Sequence, residues 1–62
     1  MKLIEHWAEH NDEHGERFKE SAEEAAGMGL MGAADEMAEA HLKAAEVSRH
    51  LRSALKEMKE GD

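Results

Sequence analysis

The sequence predicts an all-α fold, an antiparallel two-helix hairpin that dimerises into a four-helix bundle. Three observations predict it. Helix-forming Ala, Glu, Lys, Leu and Met dominate the 62 residues and proline is absent. The only visible break is GMGLMG, residues 27–32. On either side of it apolar and small residues recur at alternating spacings of three and four, as in a helix that buries one stripe along a partner.

The first helix is expected over about residues 2–26, with the stripe Ile4, Trp7, Asn11, His14, Phe18, Ser21, Ala25 and Met28. Trp7 reads as its main core anchor. The glycines of residues 27–32 end it and permit the left-handed backbone of a turn. The second helix is expected over about 33–59, with Asp35 and Glu36 in its first turn and fraying near Gly61. Its stripe is Ala34, Met37, His41, Ala44, Ser48, Leu51, Leu55 and Met58. A short turn between segments of similar length folds them back on each other, making residues 1–62 one domain.

Folding at the glycines sets the register. Ile4 should lie level with Leu55, Trp7 with Leu51, Asn11 with Ser48, His14 with Ala44, and Phe18 with His41. The middle of the stripe is therefore polar. Burying such groups without partners costs about 1–3 kcal/mol each, so they must satisfy one another, bind water or hold a ligand. Small residues at Ala8, Gly15 and Ala22, and at Ala38 and Ala45, allow one close helix contact. The other flank, with Leu3, His10, Ala40, Val47 and Ala54, needs a second cover, and a homodimer supplies one.

Composition narrows the function. A 62-residue chain buries little apolar surface and normally needs a disulfide, a metal or a partner. The absence of cysteine removes disulfides and thiolate metal sites, and fits a cytoplasmic protein. A net charge of −7 argues against nucleic acid and against an anionic membrane surface as partners. No apolar run is long enough to span a bilayer, and MKLIEHW does not read as a secretory signal.

The stretch HWAEHNDEH, residues 6–14, carries the chemistry. His6, His10 and His14 stand four apart, which winds them about 40° per step around a helix. Two neutral imidazoles at i and i+4 can grip one divalent transition ion. His41 falls on the core stripe of the second helix, and His50 on its outer side, four residues after Glu46. All five histidines are candidate ligands, with His10 and His14 the principal pair. The plainer reading is that His6 and His50 are surface residues and that His14 and His41 hydrogen-bond to Asn11, Ser48 or water. Imidazole with carboxylate suits zinc, nickel, copper or iron. The paired Glu-x-x-His motifs of di-iron bundles are missing, and no serine nucleophile sits in a structured elbow, so an enzyme is not expected. Met28, Met31 and Met37 are soft donors that suit copper(I), but read more simply as flexible core filler.

The segment LIEHWAEHNDEHGERFKESAEEAAGMGL resembles a small helical-hairpin domain of archaea and anaerobic bacteria. That domain occurs alone or behind a small nickel-accessory protein of the carbon monoxide dehydrogenase maturation type. The resemblance rests on His6, Trp7, His10, Asn11, His14 and Phe18 and on the turn at Gly29 and Leu30, about half of the chain. It implies metal handling, with nickel as the metal and a metalloprotein as client. It brings no catalytic residues. The reading that results is a transition-metal-binding homodimer engaged in metal delivery, storage or sensing. The alternative is a structural homodimerisation module whose polar core fixes register without metal.

Overall fold

The computed structural model describes residues 2–60 as two helices, α1 (Lys2–Gly27) and α2 (Met31–Glu60). They pack against each other as an antiparallel hairpin. The expected fraying at Gly61 lies outside the described residues.

The turn is tighter than the glycine pattern suggests. Gly29, at φ 78°, is the one left-handed residue among those described. Its N–H donates to the Ala26 carbonyl at 3.0 Å, and the N–H of Leu30 donates to the Ala25 carbonyl at 2.9 Å. This pair of bonds is a Schellman closure, which needs a single left-handed residue. Leu30 then opens α2, its carbonyl accepting from Ala34 N–H at 2.9 Å. Gly27 and Gly32 are therefore helical. Because α2 begins at Met31, Asp35 and Glu36 fall beyond its first turn rather than in it.

The expected register holds through the middle of the hairpin, where Asn11 meets Ser48. The buried stripe of α2 is also as expected, with Ala34, Ala44, Ser48 and Leu55 all buried. The stripe of α1 keeps Ile4, Asn11 and Phe18 but exchanges Trp7 for Ala8 and His14 for Gly15. Ile4, Ala8 and Gly15 are its buried residues, while Trp7 is 50 % exposed and His14 half-buried. The small residues decide this. A Cβ placed on Gly15 would lie 3.3 Å from that of Ala44, so the helices approach closely only through Ala8 and Gly15. A tryptophan or histidine at the same level would hold them apart. On α2 the small partners are Ala44 and Ser48 rather than Ala38 and Ala45, which are exposed.

The polar middle satisfies itself. Asn11 Nδ2 donates to the Ala44 carbonyl and, at 2.9 Å, to Ser48 Oγ. Ser48 Oγ in turn donates to the Ala8 carbonyl at 3.3 Å. Among the described residues no buried side-chain polar atom lacks a partner. The apolar core is thin by comparison: Ile4, Ala8, Ala34, Ala44 and Leu55, three of them alanines. Met28 and Met31 are exposed at the turn and fill no core.

Candidate metal centre

The four-residue spacing places His6, His10, His14 and Phe18 in one column along α1. Ring centroids lie 6.1 Å apart between His6 and His10, 4.5 Å between His10 and His14, and 6.3 Å between His14 and Phe18. The column is tightest at His10 and His14, whose rings meet edge to face and whose Nε2 atoms are 3.0 Å apart.

Two arrangements suit that distance. One nitrogen can donate a proton to the other's lone pair. Alternatively, both lone pairs can point at one ion. With metal–nitrogen bonds of about 2.0–2.1 Å, nitrogens 3.0 Å apart subtend roughly 95° at the metal. That is the bite of neighbouring ligands in square-planar or octahedral coordination, and a few tenths of an ångström short of a tetrahedral one. His10 is exposed and His14 half-buried, so an ion can reach the pair from solvent. The remote nitrogen of His10, Nδ1, faces Glu13 Oε2 at 3.8 Å. That distance is beyond hydrogen-bond reach, so Glu13 is a neighbouring charge and does not fix the tautomer of His10.

The other candidates fall elsewhere. His6 stacks beyond His10 at the outer end of the column. His41 Nδ1 lies 2.8 Å from the Gly15 carbonyl, and since a carbonyl only accepts, the ring nitrogen is the donor. The rest of the His41 ring lines an open groove with Asn11, Asp12, Gly15, Glu16 and Ala45. Asp12 and Glu16 lie about 160° around α1 from His10 and His14 respectively. His41 therefore opens on the opposite side of the hairpin from the clamp. His50 is exposed on α2, with Nε2 3.4 Å from the Arg49 guanidinium. Among the described residues no group of three or more His, Asp or Glu side chains is placed to hold one ion. The structure thus brings together His10 and His14, with His6 adjacent, and leaves His41 and His50 apart.

On the side of the hairpin away from the clamp, ion pairs join the helices. Arg52 donates to both oxygens of Asp12, at 2.6 and 3.4 Å, and Lys59 Nζ lies 3.9 Å from Glu5 Oε1. The Arg52 guanidinium holds the Asp12 carboxyl below the ordinary carboxylate range. Asp12 in turn raises Arg52 further. Sequence reasoning missed this pair because its members are 40 residues apart and carry no motif.

The model of a domain of unknown function, DUF8180, matches residues 1–58. The chain belongs to the DUF8180 family. The matched segment holds all five histidines, the turn and both buried stripes, so the DUF8180 domain is this hairpin and not an appendage to it. No curated protein and no solved structure matches the chain.

Proposed function

We propose that this DUF8180 hairpin is a transition-metal-binding protein whose clamp is the Nε2 pair of His10 and His14, and that it works as a homodimer. The observation that carries the reading is the 3.0 Å separation of the two nitrogens on an accessible helix face. His6 stands next in the column, but at 6.1 Å between ring centroids it is not placed to share the ion in a single copy. Imidazole nitrogens suit nickel, copper and zinc alike. The resemblance to the nickel-associated hairpin domain points to nickel and, through delivery, to a metalloprotein client. The reading assigns delivery, storage or sensing and no catalysis. A cytoplasmic setting is part of this reading and fits a chain without cysteine. No helix among the described residues is long and apolar enough to cross a membrane.

The second reading is a structural dimerisation module without metal. What favours it is the Asn11–Ser48 network, which is complete without a ligand. Calorimetric titration of tag-free protein with nickel and zinc separates the two. The parent should bind, and His10→Ala/His14→Ala should not. At a hundredfold excess over Kd the bound metal should add about 2.7 kcal/mol to the stability of the parent. Equal binding by the double variant would show that the ligands are wrong. A parent that binds neither metal, and whose melting ignores a chelator, would leave the structural module.

A further inference from the structure

We propose that a second copy of the chain docks on the open face formed by Leu3, Trp7, Val47 and Met58, and that its own His10–His14 pair completes the metal's coordination. The inference rests on the clamp of the preceding section and says what supplies the missing ligands.

The two flanks of the hairpin differ in chemistry. The flank crossed by Arg52–Asp12 and Lys59–Glu5 is charged at its rim, with exposed ion pairs beside open grooves. On the opposite flank α1 presents Leu3, Trp7, His10 and His14, and α2 presents Ala40, Val47, Ala54 and Met58. The large members remain substantially uncovered: Leu3 and Trp7 are each 50 % exposed, Val47 48 % and Met58 45 %. This is a stripe along both helices, with aromatic and long side chains beside alanines, as a twofold partner requires for mutual interdigitation.

The area agrees with one partner of the same kind. The chain exposes 4726 Å², whereas a compact monomer of its mass exposes about 4000 Å². The excess of about 700 Å² is spread over the whole surface of an elongated body of 51 × 14 × 9 Å, too thin to bury its own second flank. The long face of such a body is large enough for the roughly 800 Å² that each partner loses in a stable pairwise interface.

The clamp lies on this same face and is incomplete in one copy. His10 and His14 provide a pair of nitrogens, and no third ligand joins them among the described residues. With the twofold axis at the level of His10 and His14, the partner's pair meets this one and gives four imidazoles for one ion. Metal binding and association then favour each other, since the ion is a ligand of the dimer.

Sedimentation equilibrium combined with metal titration tests this, using tag-free protein with nickel and with zinc. The parent should sediment as a dimer at micromolar concentration and saturate at one metal per two chains. Val47→Glu, at an exposed helical position, should keep its helical circular dichroism, shift to monomer and lose at least tenfold in metal affinity with both histidines intact. Leu42→Glu, at a position 58 % exposed on the back of α2, should do none of these. Trp7→Gln serves as a second disruption of the face and should reproduce the Val47→Glu result. Saturation at one metal per chain, or undiminished affinity in monomeric Val47→Glu, would overturn the shared site while leaving the clamp. A parent dimer that binds no metal would overturn the clamp and the shared site together. A monomeric parent would overturn the docking face.

Discussion

Replacing Gly15 by alanine probes the close helix approach that shapes the buried stripe of α1. In an open helix interior the change would stabilise by about 1 kcal/mol, because glycine loses more backbone freedom on folding. At Gly15 the new Cβ would meet Ala44 Cβ at 3.3 Å and His41 Nδ1 at 3.8 Å. The Ala44 methyl is fixed to its backbone and cannot swing aside, so the helices must separate by a few tenths of an ångström. That separation lengthens the His41–Gly15 bond of 2.8 Å and the neighbouring Asn11–Ser48 bond of 2.9 Å. Overpacking of this kind costs about 1–3 kcal/mol, which offsets the helical gain and leaves a net loss of about 0–2 kcal/mol. Gly32 is the control, helical and with nothing within 4 Å of an added Cβ. Gly32→Ala should stabilise by up to about 1 kcal/mol. In thermal melts at one protein concentration, each kcal/mol moves Tm by roughly 4–8 °C for a domain of this size. Gly15→Ala should therefore melt below Gly32→Ala by at least that much. If the two variants gain equally, the close approach at Gly15 is refuted, and with it the reason Trp7 and His14 face outward.

Asn11→Ala should lower stability by about 1–3 kcal/mol in urea melts, because it strips the Ser48 hydroxyl and the Ala44 carbonyl of a shared donor; an unchanged midpoint would show that the network contributes nothing. The Asp12 carboxyl lies below the ordinary carboxylate range when folded, so its contribution is present above the unfolded pKa of about 3.9 and is lost as pH falls through the folded value. Arg52→Gln should raise the Asp12 pKa in a carboxyl-carbon NMR titration and flatten that part of the acid limb; no movement would mean that the pair does not form in solution. Trp7 is the single tryptophan and half-exposed in one hairpin. Its emission should shift to the red on dilution as a covering copy departs, and a maximum independent of concentration would count against coverage.

The hairpin was legible because periodicity and glycine punctuation both report local chain behaviour. The α2 stripe came out at Ala34, Ala44, Ser48 and Leu55, since its central residues, Ala44 and Ser48, are themselves small, whereas Met58 at its end is 45 % exposed. The α1 stripe came out at Ile4, Asn11 and Phe18 but not at Trp7 and His14. Hydrophobicity puts Trp7 inward, whereas the distance between helix axes is set by the smallest residues, Ala8 and Gly15, and large side chains must then move to the flank. The same shift moves His14 from the centre of the stripe to its edge, where it is half-buried and its ring meets that of His10. The His10–His14 pairing itself was readable, being a consequence of i, i+4 geometry. The separation of His41 from it was not, because it depends on which side of the interface each ring leaves. Nor was the turn's economy readable: of the glycines in residues 27–32, only Gly29 needs a left-handed backbone.

X-ray absorption at the metal edge of nickel- and zinc-loaded protein tests the central claim most directly. The account predicts imidazole scattering from nitrogens at about 2.0–2.1 Å, and its loss in His10→Ala/His14→Ala. A first shell of oxygen alone, or a spectrum that survives the double substitution unchanged, would contradict it.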